Sequence, residues 1–596
     1  MNISRLLIAS FLLAPLFGQA QASWQWGSIG GSTASYIPPN PNPIDEWPQS
    51  MAIDKKGNTY AIVKGVDKIH VGNLASSFTG DAYSIVSWSC DGQVRWIKTI
   101  GPSFAGKIAT DTLGGVYFTG RMHLMTGNYF DNDYSIPPQS DHKWNYIAKY
   151  DTAGHFQWVK FPDPNLNISD FNNWPYYMHL QAAPNGDLSV LAYLPPGTHA
   201  NGAYTVTDTS YQVLKFNSSG QFTGAVPLPM KPYFDINGAP YQSVLEASTF
   251  LKDEKNGTYY IAGTAYGPAA YANFSINNLP VSSDVLGMYA AAFNGTGQLK
   301  WLKQQPVGSF SSIYDATLDQ DGRLYLCGQA LAGKLWNGDT FKASGNAPNV
   351  AYVVCMETNG TNKWVSTGHS LQTETAMANS IAINSNGTIA AVGHIFNTFK
   401  WNNYTISQNP PPGQTNSMTG LYLATLDPQT GACTGMDSLR IKYGHSNAIT
   451  PQFMLPDNRG NLYISGAFSN PSTSSVDTFT VIGNSTMIPI GGTSDFFMAK
   501  YGQSNCNTLL GVNTLPHQDD LLIYPNPATT EIFVNAPAEG KAMLYDVQGR
   551  LLFTTTLKAG ANRLALPAGI PAGVYVLSVA VKGEAQGVMR KLVIQK

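Results

Sequence analysis

The feature that most constrains this fold is a pattern of short strands and turns that repeats along most of the chain. Each copy starts with a strand that contains Trp and often Lys, then a strand that ends in Asp and a turn closed by Gly. A Tyr-x-x-Gly strand follows, and after a variable stretch a strand such as residues 147–151 (Ile-Ala-Lys-Tyr-Asp) completes the copy. Seven glycines close the second-strand turns: Gly57, Gly114, Gly186, Gly257, Gly322, Gly387 and Gly460.

Seven copies of about four strands each predict an all-β fold class, with a seven-bladed β-propeller as its main part. One four-stranded sheet cannot bury both of its faces, whereas seven sheets packed radially can. Charged residues make up only 12% of the chain, against about 25% in ordinary globular proteins. The abundant Gly, Asn, Ser, Thr and Tyr favour turns and strands over helices. A pair of β-sandwiches is the alternative fold, and the regular count of seven argues against it.

The last copy contains the segment Asp-Phe-Phe-Met-Ala-Lys-Tyr at residues 495–501. This segment resembles the propeller repeats found ahead of type IX sorting domains and the related bacterial SBBP repeats. The resemblance spans residues 24–501 and implies a propeller domain over residues 23–502. The fourth copy departs from the pattern, because residues 222–228 stand where other copies have the first-strand Trp.

The end of the chain has a different composition. Residues 503–520 are polar and weakly patterned, which predicts a linker. From residue 521 to residue 596, apolar and polar residues alternate in short segments, which predicts a small C-terminal antiparallel β-sandwich. This segment carries eight Lys/Arg and four Asp/Glu, so a basic module follows a mildly acidic one.

Four motifs of this tail resemble, in order and spacing, the type A C-terminal sorting domain of type IX secretion substrates. They lie at residues 524–527 (Tyr-Pro-Asn-Pro), 544–550, 571–577 and 591–596. The resemblance implies recognition by the type IX outer-membrane translocon and sorting machinery. It also implies cleavage in the linker, followed by attachment to a surface polysaccharide or release. The sorting-signal residues that it carries over are Tyr524, Pro525, Asn526, Pro527, Gly549, Gly573, Tyr575, Val576 and Lys591.

Residues 1–22 are typical of a secretory signal peptide. Arg5 supplies the positive n-region, residues 6–17 form the apolar run, and Ala-Gln-Ala at residues 20–22 is the cleavage site. No stretch reaches the roughly 20 apolar residues that a membrane helix needs, so no transmembrane segment is predicted. The mature chain is expected to begin at Ser23. With the type IX resemblance, this implies an extracellular protein, secreted or attached to the outer surface of a Gram-negative bacterium.

Several function classes find no support in the sequence. The net charge of −2 gives no electrostatic footprint for nucleic acid. Metal-ligand spacings, a nucleophile elbow and a phosphate-binding loop are all missing, so no cofactor, metal or catalytic residue is predicted. Four recurring aspartates are interpreted as turn residues because each occupies the same turn of its copy: Asp54, Asp111, Asp319 and Asp457.

The five cysteines would lie in an oxidising compartment, where disulfides form. Cys327 and Cys355 lie on successive predicted strands of one copy, and Cys433 and Cys506 occupy equivalent positions in consecutive copies. Either pair could form a disulfide, and small buried thiols are the alternative. No spacing among the five indicates a metal site.

The variable connections are the predicted place of function. In an up-and-down unit, the first–second and third–fourth connections lie on one face, and here they are long, at residues 29–49, 121–145, 162–178, 230–242, 330–349 and 396–419. The connections on the opposite face are uniformly tight. Because loops on a rigid scaffold often carry binding, we expect ligand contacts from the aromatic residues of the long connections, with packing onto the rim as the alternative: Trp144, Trp174, Tyr176, Tyr177, Tyr233, Phe234, Trp336 and Trp401. The tryptophans of the repeat are interpreted as packing residues: Trp96, Trp158, Trp301 and Trp364.

The predicted function of the propeller is a non-catalytic binding module for a glycan or a protein. An extracellular polysaccharide-degrading enzyme, a lyase or hydrolase with its site at the channel mouth, is the alternative. A cluster of titratable side chains with perturbed pKa values would favour the enzyme, and an aromatic patch without such groups would favour binding. A purely structural role in a surface layer is a third possibility.

Overall fold

The structure is a computed structural model that describes most of the chain. The described residues are 22–32, 46–65, 68–77, 82–101, 103–122, 127–131, 133–136, 144–162, 176–231, 244–266, 275–276, 279–280, 287–306, 309–343, 347–371, 375–396, 398–407, 419–439, 449–469, 480–482, 485–488, 490, 494–503, 506, 523–536, 539–546, 550–567, 569–581 and 588–595. The predicted signal peptide and nearly all of the predicted linker lie outside them.

The described chain is all-β and divides into two compact units, residues 1–506 and residues 507–596. Strands and turns account for the ordered elements, and the one helical element in these ranges is a 3-10 turn at Ala200–Gly202. The all-β expectation is therefore confirmed.

Within the described part of the first unit, seven antiparallel sheets share one plan of four neighbouring strands. Sheet 1 contains Pro48–Ile53, Thr59–Gly65, Ala82–Trp88 and Val94–Gly101. Sheet 2 contains Ser103–Thr110, Gly115–Met122, Trp144–Asp151 and Phe156–Lys160. Sheet 3 contains Tyr176–Ala182, Leu188–Leu194, Ser210–Phe216 and Phe222–Pro227. Sheet 4 contains Val244–Lys252, Tyr259–Tyr266, Gly287–Phe293 and Leu299–Gln304.

The remaining three sheets follow the same order. Sheet 5 contains Ser312–Leu318, Leu324–Leu331, Asn349–Met356 and Asn362–Ser370, and it is extended by Thr398–Trp401 and Tyr404–Ser407. Sheet 6 contains Ser380–Ile383, Ile389–Phe396, Thr419–Leu426 and Cys433–Leu439. Sheet 7 contains Ile449–Pro456, Leu462–Ser469, Ser494–Gly502 and Ser23–Ser32, and it is extended by Ile69–Val71 and Leu74–Ala75.

Short strands in the long connections form separate small sheets. They are Gly127–Tyr129 with Tyr134–Ile136, Gly197–His199 with Tyr204–Val206, Leu335–Trp336 with Asp339–Thr340, Thr480–Ile482 with Ser485–Met487, and Met230–Lys231 with Ser275–Ile276 and Leu279–Pro280.

The sheets are offset by one strand from the repeat read in the sequence. The Trp-containing strand was taken as the first of each copy, but it pairs with the strand before it and is the fourth strand of the preceding sheet, as Lys149↔Trp158 shows. The reason is the tight turn at residues 151–155, which joins two antiparallel neighbours. Sheet 7 consequently takes its fourth strand from the N-terminal segment, where Ile29 pairs with Phe497.

The first strands of the seven sheets contact one another in cyclic order, sheet 1 with 2 and so on to 7, and sheet 7 again with sheet 1. Strands covered on both faces read as continuous apolar runs. Gly287–Phe293 (Gly-Met-Tyr-Ala-Ala-Ala-Phe) is such a strand, buried along its whole length. The neighbouring fourth strand Leu299–Gln304 is partly exposed. Burial therefore decreases toward the fourth strand.

The second unit consists of two sheets around its own core. One contains Ile523–Tyr524, Glu531–Ala536 and Gly560–Ala565, and the other contains Leu551–Leu557, Gly540–Tyr545, Gly573–Val581 and Val588–Ile594. Side chains such as Ile532, Leu544, Leu577 and Leu592 are buried between them.

Candidate functional site

One end of the strands of the first unit carries short turns of a single design. Asp111 lies at the end of a first strand, and its Oδ1 accepts hydrogen bonds from the backbone N–H groups of Leu113 (2.8 Å) and Gly115 (2.6 Å). Its Oδ2 accepts the hydroxyl proton of the buried Tyr117 at 2.8 Å. The same bond from the second-strand tyrosine recurs at three other aspartates: Asp54, Asp319 and Asp457. The turn role predicted for these four aspartates is confirmed.

The third–fourth turns lie at the same end, and they receive the tryptophans of the repeat. The Trp96 indole N–H donates to Thr152 O of the next sheet at 3.2 Å, and a Cβ added to Gly154 would lie only 2.9 Å from the Trp96 ring. Gly154 has φ +85°, so both its conformation and its closeness to the ring require glycine. The pairing recurs at further neighbouring sheets: Trp26 with Gly92, Trp158 with Gly220, Trp301 with Gly360, and Trp364 with Gly431. The packing role predicted for the repeat tryptophans is confirmed.

We call this end of the first unit the tight-turn end, and the opposite end of the same strands the variable end. The second–third connections and the sheet-to-sheet connections lie at the variable end, and they include all the long segments of the sequence. The difference follows from the antiparallel order of the strands, because alternate connections lie at opposite ends.

For two of the aromatic residues, the prediction of a ligand contact is wrong, because their side chains are buried. Trp336 and Trp401 each have 0% of their surface exposed. The Trp401 indole N–H donates to the Ser366 hydroxyl at 2.8 Å, and its ring packs on Tyr422 at 5.9 Å between ring centroids. Trp336 lies in the core between sheets 4 and 5 with Phe341. The long connections form hairpins that return these rings to the core, which their length does not reveal.

The other predicted aromatics cannot be placed as ligand contacts. The backbones of Trp144, Tyr176 and Tyr177 belong to strands of sheets 2 and 3, while Trp174, Tyr233 and Phe234 lie outside the described residues.

A ring of equivalent positions on the first strands brings polar side chains together, and sequence reasoning missed it. The level is set on the second strand by the third residue of the Tyr-x-x-Gly motif or its counterpart. The first-strand residues at this level are Ser50, Lys107, His179, Thr249, Asp315, Ser380 and Phe453. A β-bulge just before this level in six of these strands re-aims the side chains. The sequence offers no simple signal, because the seven positions hold six different residue types.

Several members of this ring bond to the neighbouring sheet. Ser50 Oγ accepts the N–H of Ile108 at 3.1 Å, and His179 Nε2 lies 2.7 Å from Ala247 O. Asp315 Oδ2 accepts from the Ser380 hydroxyl and from the N–H of Ile381. These polar groups therefore tie the first strands together.

Two members of the ring have perturbed pKa values. Burial lowers the pKa of His179 to about 3, and the nearby Lys107 ammonium lowers it further. Burial raises the pKa of Asp315, although its hydrogen bonds and Lys107 oppose the shift. His179 and Asp315 belong to sheets 3 and 5, and both experience the charge of Lys107 in sheet 2.

Neither of the two predicted disulfide pairs forms, whereas the alternative of small buried thiols is correct for three of the five cysteines. Cys90 and Cys506 form the disulfide, across 416 residues, while Cys327, Cys355 and Cys433 are buried thiols. Cys90 lies in the third–fourth turn of sheet 1, and Cys506 follows the third strand of sheet 7. The buried Lys500 ammonium contacts both sulfurs, at 3.3 and 3.5 Å. The two cysteines become neighbours only because sheet 7 contacts sheet 1.

In the second unit, the first and last of the predicted sorting motifs lie side by side. Asn526 Oδ1 accepts the N–H of Val593 at 2.8 Å, and Ala528 exchanges backbone hydrogen bonds with Val593 and Gln595. The exposed Pro525 and Pro527 flank Asn526, Tyr524 ends the short strand Ile523–Tyr524, and Gly549 lies outside the described residues.

The third motif occupies the neighbouring strand, Gly573–Val581. Tyr575 is buried and donates its hydroxyl proton to Pro571 O at 2.8 Å, and Val576 pairs with Lys591 of the terminal strand. Three motifs that are far apart in sequence are thus joined in one sheet region.

The described residues contain neither a candidate membrane helix nor a candidate metal-binding cluster. No helix there is long and apolar enough to cross a membrane, and no three His, Cys, Asp or Glu side chains within these ranges are grouped so as to hold a metal ion.

Comparison with known families identifies the second unit. Residues 522–595 match the secretion system C-terminal sorting domain. This match supports a type IX secretion substrate that is exported to the cell surface or the extracellular space. No curated protein matches the chain.

Two solved structures are distantly similar. One is PorZ, described as an essential bacterial surface component of the type-IX secretion system of Porphyromonas gingivalis, at 10% identity and TM-score 0.20, with 92% of this chain and 81% of that chain covered. The other is a glycoside hydrolase of family 32 from Bifidobacterium adolescentis, at 10% identity and TM-score 0.25, with 95% of each chain covered. Scores this low carry no argument about fold or function.

Proposed function

We propose that residues 23–502 form a seven-bladed β-propeller that acts outside the cell as a non-catalytic binding module for a glycan or a protein. The observation that carries the proposal is the contrast between the two ends of the strands. At the tight-turn end, the same Asp, Tyr, Trp and Gly contacts recur from sheet to sheet. At the variable end, every connection has its own length and sequence, and binding surfaces are commonly built from such loops.

The propeller form of the proposal is supported by the order of contacts. The first strands touch in a cycle of seven, and the strand Ser23–Ser32 completes the sheet that begins at Ile449–Pro456. A radial arrangement accounts for both facts, since it leaves each sheet between two neighbours. We interpret the units as SBBP-like repeats on the residues that carry that resemblance.

The route of export follows from the two ends of the chain. The signal peptide at residues 1–22 would direct the chain across the inner membrane, and the sorting domain at residues 521–596 would engage the type IX translocon and sorting machinery. Cleavage in the linker at residues 503–520 would then leave the first unit attached to a surface polysaccharide or released.

An extracellular polysaccharide lyase or hydrolase is the second candidate function, and the Lys107, His179 and Asp315 group favours it. The charge of Lys107 influences the pKa values of both His179 and Asp315, and perturbed pKa values are typical of catalytic groups. However, His179 and Asp315 are both committed to hydrogen bonds with the neighbouring sheet. The groups are therefore better explained as ties between first strands, and we favour the binding module.

The test is an array of bacterial and host polysaccharides and surface proteins, probed with the purified chain from Ser23 and assayed for both retention and product release. We expect retention without products, lost in Trp174→Ala and Tyr176→Ala, which remove two of the aromatic residues predicted to contact the ligand. Leu113→Ala at the tight-turn end is the matched control and should bind normally. Product release that disappears in His179→Ala would instead establish the enzyme.

A further inference from the structure

Among the described residues, two phenylalanines of the variable connections have a left-handed backbone, Phe130 and Phe310, and of these Phe310 is exposed while Phe130 is buried. Phe310 has φ +47°, a left-handed geometry that costs a residue with a Cβ roughly 1–2 kcal/mol, and 48% of its surface is exposed. The serines on both sides are buried. Ser309 donates to Pro306 O at 2.6 Å and Ser311 donates to Ser309 O at 3.1 Å. The connection is thus fixed on either side of Phe310 while the ring faces solvent.

A second exposed aromatic follows four residues later. Tyr314 is the extra residue of the bulge between Ile313 and Asp315 in the first strand of sheet 5, and bulges commonly re-aim side chains near functional sites. Its ring is 38% exposed. Its hydroxyl donates to Gln329 Oε1 at 3.0 Å, and the Gln329 amide group also carries two N–H donors.

Three other sheets, of which only sheet 4 neighbours sheet 5, carry a polar residue at the bulge position that Tyr314 occupies. The corresponding bulge residues are Gln49 in sheet 1, Ser248 in sheet 4 and Gln452 in sheet 7. Gln49 and Ser248 are each partly exposed between two buried neighbours. These first strands therefore carry two amides and a hydroxyl at positions equivalent to Tyr314, one residue closer to the variable end than the level of His179 and Asp315.

We propose that Phe310 and Tyr314 form an aromatic subsite for a neutral sugar unit of a glycan at the variable end. A pyranose ring offers an apolar C–H face that stacks on an aromatic ring, and a rim of hydroxyls that bonds to amides and hydroxyls. A protein hot spot would instead need a closely packed apolar surrounding that excludes water, whereas Phe310 is half-exposed and Tyr314 is bonded to the polar side chain of Gln329. This inference rests on the proposed binding function and names its ligand class and its residues.

The strained backbone allows an unusually clean variant. Phe310→Gly removes the ring and also relieves the left-handed strain, so binding should be lost while the melting temperature stays equal or rises. Tyr314→Ala removes the second ring. The matched controls are Leu113→Ala, at an exposed apolar residue of the tight-turn end, and Tyr404→Ala, at an exposed tyrosine of the sheet 5 extension.

The experiment is affinity electrophoresis of the purified chain in gels that contain xylan, β-1,3-glucan, α-mannan or, as a charged comparison, chondroitin sulfate. We expect retardation by at least one neutral polysaccharide, an apparent affinity at least tenfold weaker in Phe310→Gly and Tyr314→Ala, and no change in the two controls.

Each other outcome overturns the inference in a distinguishable way. Retardation that is unchanged in both aromatic variants overturns the subsite and leaves the proposed binding function standing. Retardation by chondroitin sulfate alone overturns the neutral-sugar assignment. No retardation of the unsubstituted chain by any polysaccharide overturns the inference together with the glycan form of the proposed function.

Discussion

The two ends of the strands in the first unit use their side chains for different purposes. At the tight-turn end, Asp111 bonds to its own turn and to Tyr117, and Trp96 packs on Gly154 of the next sheet. At the variable end, Phe310 is exposed in a strained conformation and Tyr314 is exposed on a bulge. The comparison teaches that the recurring stabilising contacts lie at the tight-turn end. The variable end can therefore carry exposed or strained residues that do not stabilise the fold.

The largest expected effect tests the limit of this division, because Trp401 belongs to one of the long connections that begin at the variable end and is nevertheless fully buried. Trp401→Ala should lower the free energy of unfolding by about 4 kcal/mol, the range for a large aromatic side chain removed from a core. Urea denaturation measures the change. Tyr404→Ala on the same hairpin is the control, with a loss below about 1 kcal/mol. A fully stable Trp401→Ala chain that no longer binds would restore its interpretation as a ligand contact.

The second effect concerns the covalent link at the tight-turn end. Replacing Cys90 and Cys506 together by Ser should lower the free energy of unfolding by about 3 kcal/mol, because the disulfide restricts the unfolded chain. Denaturation with and without a reducing agent measures it, and Cys433→Ala is the control that leaves the disulfide intact. Equal stability of the parent chain in both conditions would contradict a stabilising role.

The third effect tests a single turn. Asp111→Ala removes the acceptor of three hydrogen bonds and leaves the buried Tyr117 hydroxyl without this acceptor, which should cost about 2 kcal/mol. The control is Asn185→Ala in the corresponding turn of sheet 3, where the side chain is exposed and its Oδ1 accepts one backbone N–H, that of Asp187. If the two substitutions cost the same, the aspartate turns are no more important than ordinary ones.

The last effect lies between the two ends and depends on pH. Burial lowers the pKa of His179 from near 6.5 to about 3, so the unfolded chain binds more protons than the folded chain between these values. Stability should therefore fall as the pH decreases through 6.5 toward 3. His394, lowered to about 4 by burial, contributes in the same window. Thermal melting as a function of pH measures the slope.

The matched variants are His179→Gln, which keeps a donor for Ala247 O, and His155→Gln at an exposed turn. The pH slope should flatten in the first and persist in the second. An unchanged slope in His179→Gln would mean that other groups dominate the acid sensitivity.

Much of the fold could be predicted from the sequence, because its strands and turns carry local signals. Glycines such as Gly154, which need positive φ, mark the turns, and the repetition gives the number of sheets. The sheet boundary was nevertheless placed one strand early. A tight turn joins hydrogen-bonded neighbours, so the short turn before each Trp strand was the signal that this strand belongs to the preceding sheet.

The candidate site could be predicted much less well, since it depends on contacts between distant parts of the chain. The Cys90–Cys506 disulfide follows from the meeting of sheets 7 and 1, which no local pattern specifies. Trp336 and Trp401 occur in long connections, and only the hairpins that those connections form return the rings to the core. Phe310 was missed because its backbone conformation leaves no trace in residue type.

The strand Ser23–Ser32 gives the first unit the connectivity of a circle that has been cut at one place. The four main strands of every sheet except the seventh lie in one continuous stretch of sequence, so a permuted chain that starts at Pro48 and carries residues 23–32 after Gly502 would have the four main strands of all seven sheets in continuous stretches. In the natural order, the third strand of sheet 7, Ser494–Gly502, pairs with a segment that was synthesised more than four hundred residues earlier. Removing a few residues of that segment beyond Ser23 would expose the backbone donors and acceptors that they pair with in Ser494–Gly502. The exposed strand edge could then pair with neighbouring molecules.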